Sequence, residues 1–212
     1  LEHKWIKLFF ARRTRFDKFQ KFIDQHYVTT DKCYNHKLLD EEDLGMDCYI
    51  CVTDVIWKCN KSAKFDRGFF LACDSMKGKH KIAYSASRGP SQYDEKYEKI
   101  FLDYIEPFNY VSVRERSFLD YIQSITDKPV TQVLDPVLLH EKDFYEPIIQ
   151  RPKKKKRGYV LIYVVMEKPG PLIKLAVNFA EKHNLDVIEL SENLEDANIP
   201  EGTHHKIVYN IG

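Results

Sequence analysis

The 212-residue sequence has no apolar run approaching the ~20 residues that a membrane-spanning helix requires. Its formal net charge is only +1, so no overall field would steer it to nucleic acid or to a membrane surface. It also lacks an initiator Met and a signal-peptide h-region, which leads us to expect a trimmed or excised piece. With 43% hydrophobic and 31% charged residues, the composition predicts a soluble globular protein with a buried core.

Cysteine is scarce and odd in number, which argues against a disulfide framework and favours a reducing cytoplasm. Of the five cysteines, Cys48 and Cys51 form a C-x-x-C pair. The surrounding segment 47–53 is typical of a buried strand, which would point these two side chains to opposite faces. No second C-x-x-C completes a zinc site, and His204-His205 has no third ligand nearby. We therefore predict structural cysteines and no metal site.

Hydrophobic periodicity predicts strands alternating with helices. The strands are expected at 47–53, 81–85, 110–113 and 130–134. Helices are expected at 14–27, from Ser91 as N-cap to Pro107, and at 117–125. Such alternation predicts an α/β fold with a Rossmann-type parallel sheet.

The chain is predicted to contain one α/β domain and part of another. The N-terminal α/β domain spans 1–140 and is expected to be incomplete at its start. A linker at 141–157 contains a short helix within 143–149 and the cationic run 151–157, interpreted as a solvated linker. The start of a C-terminal α/β domain occupies 158–212, with strands at 159–165, 185–190 and 206–211 and a helix at 172–183.

Two predicted strands each end in a small, polar, arginine-bearing turn that leads into a helix. Arg88 and Arg114 occupy these turns. In open α/β sheets, ligands bind outside the carboxyl ends of the strands, where helix N-termini attract anions. Both arginines are therefore candidate anion ligands, although Arg88 can equally be a solvated loop residue and Arg114 a surface residue paired with Glu115 or Glu95.

Further candidates follow the same strand ends. Ser85 and Ser87 are either hydrogen-bond donors to a phosphate or small residues that allow a loop to pack. Gly89 is expected to serve the backbone, through an unusual φ or a close approach. Asp54 directly follows a strand and is a candidate general base, with a turn or helix cap as the alternative. Trp57 is a candidate platform for a sugar ring, with burial in the core as the alternative.

Four motifs together resemble the polysaccharide pyruvyl transferase family. They are Asp47–Trp57 (D-x-Y-I-x-x-T-D-x-x-W), Lys81–Gly89 (K-I-A-Y-S-A-S-x-G), Val111–Glu115 (V-S-V-R-E) and Val133–Leu139 (V-L-D-P-V-L-L). Their order and spacing match the family from about residue 16 to residue 139. Each motif alone has low specificity, and four in register are fairly specific.

The resemblance implies a two-domain fold like that of the GT-B glycosyltransferases. It implies transfer of pyruvate from phosphoenolpyruvate to a saccharide or lipid-linked saccharide as a ketal, in the cytoplasm, with the inner membrane surface as a candidate location. Arg114 matches the arginine of the family's motif. The family's N-terminal Gly-rich turn and its C-terminal S-F-H-G motif, whose His is implied to bind the donor, would lie before Leu1 and after Gly212. No cofactor and no nucleic acid are implied.

Three departures from the family pattern leave two alternatives open. The family's G-S-D-Q turn is Val52–Val55 here, a Thr is replaced by Val137, and an aromatic residue by Arg88. One alternative is a GT-B-like glycosyltransferase that uses a nucleotide sugar. The other is a degenerate, non-catalytic protein that binds glycan or a partner. The oligomeric state, the acceptor sugar and the general acid are not determined by the sequence.

Overall fold

The structure is a computed structural model that describes residues 2–59, 64–149, 158–163, 170–190 and 205–208. The chain divides into two units. One comprises residues 30–149, and the other comprises residues 1–29 together with 150–212. The division into domains at 1–140, 141–157 and 158–212 stays a prediction.

The unit 30–149 is built on a four-stranded, entirely parallel sheet. Its strands are β1 (Cys48–Val52), β2 (His80–Ala86), β3 (Tyr110–Val113) and β4 (Val130–Gln132). They lie side by side in the order β1-β2-β3-β4. This alternation of parallel strands with helices confirms the predicted α/β, Rossmann-type unit. The likeness to GT-B enzymes stays a prediction.

Helices connect the strands of this sheet and flank it. They are α2 (His36–Glu41), α3 (Glu95–Ile105) between β2 and β3, α4 (Arg116–Ile125) between β3 and β4, and α5 (Lys142–Tyr145). Short 3-10 turns occupy Asp74–Met76, Pro136–Leu138 and Glu146–Ile148.

The start of α3 differs from the sequence-based expectation. Asp94, and not Ser91, is the N-cap, because its carboxylate accepts a hydrogen bond from the main-chain N–H of Tyr97 at 3.0 Å. Residues 91–94 are not helical. A carboxylate that accepts from the N–H three residues further on caps a helix as well as a serine hydroxyl does. The predicted start at Ser91 is therefore wrong, and the helix begins at Glu95.

Strand β1 has one buried and one exposed face. Tyr49 and Cys51 are buried, whereas Cys48, Ile50 and Val52 are exposed. The two cysteines thus point to opposite faces, as predicted. Burial raises the pKa of the Cys51 thiol to about 12, which makes it an unreactive core residue. In the described parts of the chain, no three His, Cys, Asp or Glu residues are grouped so that they could hold a metal ion.

Trp57 lies at the centre of the core of this unit and has no exposed surface. Its ring stacks on Phe70 at 5.2 Å between centroids and meets the edges of Phe101, Phe108 and Phe118 at 5.6–6.1 Å. Its indole N–H donates to the carbonyl of Phe69 at 3.2 Å. Trp57 as a sugar-stacking residue is therefore wrong, because a ring surrounded by other rings cannot contact a ligand.

The second unit carries a three-stranded parallel sheet. Helix α1 (Glu2–His26) precedes it in the chain, and strand β5 (Tyr159–Tyr163), helix α6 (Gly170–His183), strand β6 (Asp186–Leu190) and strand β7 (His205–Val208) follow. The strand order is β5-β6-β7. This confirms the second parallel-sheet unit.

Helix α1 begins well before the predicted residue 14. Its apolar stripe, which includes Phe16, Phe19 and Phe22, is exposed. The cationic run 151–157 and the ends of two predicted strands, 164–165 and 209–211, lie outside the described residues. None of the described helices combines the length and the apolar character needed to cross a bilayer.

Candidate active site at the carboxyl ends of the strands

The carboxyl ends of β1 to β4 are joined by main-chain hydrogen bonds beyond the regular ladder. The pairs run from N–H to carbonyl as follows: Thr53 to Tyr84 (2.8 Å), Ser87 to Asp54 (3.1 Å), Trp57 to Ser87 (3.0 Å), Arg114 to Ala86 (3.2 Å) and Val133 to Val113 (3.0 Å). These bonds hold the four turns together in one place. The carboxyl ends of the four parallel strands therefore lie at one edge of the sheet.

A bulge shapes the end of β2. The register between β2 and β3 shifts between Ala83 and Ala86, and Ser85 has φ +55°. The hydroxyl of Ser112 accepts from the Ser85 N–H at 3.1 Å and donates to the Ala83 carbonyl at 3.0 Å. One side chain thus replaces the ladder bonds that the bulge disrupts. Bulges often lie beside functional sites because they redirect the chain.

Arg114 follows β3 and is held between two carboxylates. Its Nε donates to Glu115 Oε1 at 2.8 Å and its Nη1 to Asp135 Oδ2 at 3.1 Å. The hydrogen bonds to Glu115 and Asp135 raise the pKa of the guanidinium. Its Nη2 has no hydrogen-bond partner among the described residues, and the side chain is one-third exposed. Two carboxylates therefore fix the orientation of Arg114 while one terminal nitrogen stays available.

Asp135 connects three of these elements. Its Oδ2 accepts from the Thr53 hydroxyl at 2.8 Å as well as from Arg114, and its Oδ1 accepts from the Val137 N–H at 3.1 Å. Its pKa is lowered, first by the hydrogen bond from Thr53 and further by those from Val137 and Arg114. Asp135 is the N-cap of the 3-10 turn Pro136–Leu138. The carboxylate also joins the ends of β1 and β3.

Asp54 is exposed and has φ +59°, next to Thr53 with φ +42°. Its carboxylate makes neither a hydrogen bond nor an ion pair with the described residues, so it does not act as the cap that was the alternative interpretation. A left-handed conformation in two consecutive non-glycine residues is unusual and is maintained by surrounding bonds. Asp54 is thus placed where its carboxylate is open to solvent at the end of β1.

Ser85 and Ser87 are fully buried. The Ser87 hydroxyl accepts from the Gly89 N–H at 3.0 Å, and the Ser85 hydroxyl is buried with no partner in the described structure. Gly89 has φ +59°, and a Cβ there would lie 2.6 Å from Val55 Cγ1. The structure therefore favours packing for the serines. It supports both expected reasons for glycine at position 89, an unusual φ and a close approach to a neighbour.

Arg88 contacts aromatic rings rather than the carboxylates around Arg114. Its guanidinium carbon lies 4.3 Å from the ring centre of Tyr121, 5.3 Å from that of Phe118 and 5.8 Å from that of Tyr93. These are cation–π distances. The structure thus places Arg88 on the aromatic residues of α4 and of the loop before α3, and it separates the roles of the two arginines.

Three residues of this cluster were missed as site residues by sequence reasoning: Thr53, Glu115 and Asp135. The second carboxylate oxygen of Glu115 is buried and has no hydrogen-bond partner in the described structure. The available signal was position, since Thr53 is the last residue of a predicted strand and Glu115 and Asp135 lie within two residues after one. The side-chain contacts that join them span 82 and 21 residues of sequence and are invisible to local patterns.

These features define an α/β protein with a charged site at the carboxyl ends of a parallel sheet. Residues 3–211 match the family model described as polysaccharide pyruvyl transferase. Because this match covers nearly the whole chain, the chain belongs to the polysaccharide pyruvyl transferase family, a family of transferases. No curated protein and no solved structure matches the chain.

Proposed function

We propose that the chain takes part in transferring pyruvate from phosphoenolpyruvate to two hydroxyls of a saccharide or lipid-linked saccharide. The observation that carries this proposal is Arg114, held by Glu115 and Asp135 at a strand end with Nη2 unengaged. The donor carries a carboxylate and a phosphate close together. A guanidinium held in one orientation suits such anions because charge-assisted bonds fix geometry as well as energy.

The chemistry would proceed in one addition followed by one displacement. Protonation of the methylene carbon of the donor produces a cation at the neighbouring carbon, and an acceptor hydroxyl attacks that carbon and loses its proton. A second hydroxyl then displaces the phosphate and gives up its proton to the departing phosphate, which leaves a cyclic ketal and free phosphate. Asp54 is the proposed base for an acceptor hydroxyl, because its carboxylate is exposed and engaged by no described residue.

The proposal predicts that Arg114→Ala weakens phosphoenolpyruvate binding. Loss of a charged hydrogen bond corresponds to roughly 1.5–3 kcal/mol, or about 10- to 150-fold in dissociation constant. Isothermal titration calorimetry measures this directly. The control is Arg116→Ala, which removes an exposed arginine that pairs with Asp120 on the surface of α4. An unchanged affinity in Arg114→Ala would exclude donor binding by this residue.

A non-catalytic role is the second candidate, and one observation favours it. Two carboxylates surround a single guanidinium, so the Arg114, Glu115 and Asp135 cluster carries a formal charge of −1. This charge opposes an anionic donor. Glycan binding without release of phosphate from phosphoenolpyruvate would support this candidate. Competition between phosphoenolpyruvate and a nucleotide diphosphate tests the remaining alternative, a nucleotide-sugar enzyme.

A further inference from the structure

A cavity of about 460 Å³ lies in the unit 30–149, beside the segment that follows β1. Val55, which directly follows the proposed base Asp54 in the chain, lines the cavity, whereas Asp54 is not among its lining residues. Its volume falls within the range of small-molecule sites, which is roughly 300–1,000 Å³. It is large enough for a sugar ring with a substituent.

The lining of this cavity has an excess of positive charge. Lys58 and Lys64 are both exposed and form no ion pair with the described residues. Arg67 also lines it and is fixed by two hydrogen bonds of 3.1 Å to Asp40. Asp66 is the one carboxylate among the lining residues. The two free ammonium groups favour an anionic ligand, since they could each donate charge-assisted hydrogen bonds to it.

An aromatic ring lies beside these cations. Phe69 lines the cavity and is 48% exposed. Its backbone is tied to the core, because its carbonyl accepts the indole N–H of the fully buried Trp57. A half-exposed ring on a fixed backbone provides a flat apolar surface, against which the C–H face of a pyranose gains dispersion contacts. The cavity thus combines a ring platform with two unpaired cations.

We propose that this cavity binds a sugar that carries an anionic group, a phosphate or a carboxylate. Lys58 and Lys64 contact the anion, and Phe69 contacts the ring. The assignment of this cavity as the acceptor subsite of the transferase rests on the proposed function. Binding of an anionic sugar to the cavity can be measured separately.

The test is calorimetric titration of the full chain with glucose 6-phosphate, glucuronate, glucose and inorganic phosphate, each without phosphoenolpyruvate. The phosphate and the carboxylate sugars distinguish the two sources of charge. We expect at least one anionic sugar to bind at least about tenfold more tightly than glucose and than phosphate alone, because ring and anion are contacted together. Equal binding of glucose, or of phosphate alone, would overturn the inference.

Variants locate the binding. The double variant Lys58→Gln, Lys64→Gln should weaken binding of the anionic sugar at least about tenfold. The control is the double variant Lys96→Gln, Lys99→Gln, which changes two exposed lysines on α3 and should alter the affinity less than about twofold. Phe69→Ala should weaken binding of the anionic sugar and leave the affinity for inorganic phosphate unchanged. Equal losses in both lysine pairs would place the ligand elsewhere. Binding of the anionic sugar that persists while phosphoenolpyruvate yields no phosphate would keep the site and reject transfer by this chain alone.

Discussion

At the scale of single residues, Asp135 joins three parts of the candidate site through one carboxylate. One carboxylate accepts hydrogen bonds from Thr53, Arg114 and the main chain of Val137. These donors belong to three different turns. Because both carboxylate oxygens are used, the side chain acts as a connection between strand ends as well as the cap of a short turn.

We predict that Asp135→Asn lowers the free energy of unfolding at pH 7 by about 1–2 kcal/mol, since it removes the charged acceptor of Arg114 and Thr53. The lowered pKa of Asp135 means that its contribution is complete above the unfolded-state pKa of about 3.9 and is lost as the pH falls through the lower folded-state pKa. Urea unfolding from pH 7 to pH 3 measures both effects.

The difference between wild type and Asp135→Asn should therefore shrink as the pH falls below about 4. Asp120→Asn is the matched control, because Asp120 pairs with Arg116 at an exposed position and should contribute little. A difference that stays constant across this pH range would contradict a role for the charge of Asp135.

At the scale of elements, the start of α3 was misplaced by the sequence and is set by tertiary contacts. In the segment between β2 and α3, Tyr93 makes contacts that hold the chain against the core. Tyr93 donates its hydroxyl to the Trp57 carbonyl at 2.5 Å, and its ring contacts Arg88. The residues directly before Asp94 are therefore not helical, and the helix begins at Glu95.

We predict that Asp94→Ala destabilises the protein by about 1 kcal/mol, because the Tyr97 N–H loses its acceptor. Ser91→Ala is the control and should change stability by less than about 0.5 kcal/mol, since Ser91 caps no helix in the structure. Chemical denaturation followed by circular dichroism measures both. A larger loss in Ser91→Ala than in Asp94→Ala would restore the sequence-based start.

At the scale of the whole molecule, the described residues form two separate hydrophobic cores. The larger core lies within residues 30–149 and is rich in aromatic rings around Trp57. The smaller core contains Ile162, Ile173 and Val187. A domain with its own core is expected to fold by itself.

We predict that a fragment of residues 30–149 folds and unfolds cooperatively. Trp57 is the sole tryptophan of this fragment, so its fluorescence reports directly on the core. Thermal unfolding by fluorescence and by circular dichroism should give the same midpoint. Phe101→Ala, which removes a fully buried ring in contact with Trp57, should destabilise the fragment by about 3–5 kcal/mol. Non-coincident transitions would show that the fragment lacks a native core.

The sequence by itself determined the alternation of strands and helices, the placement of Cys48 and Cys51 on opposite faces, and the family. Periodicity and local motifs are sufficient for these because they depend on neighbouring residues. The structure alone placed Trp57 in the core, moved Arg88 onto aromatic rings and brought Thr53 and Arg114 to Asp135. Those outcomes depend on which side chains meet across 13 to 82 residues, from Trp57 with Phe70 to Thr53 with Asp135, and only packing decides that.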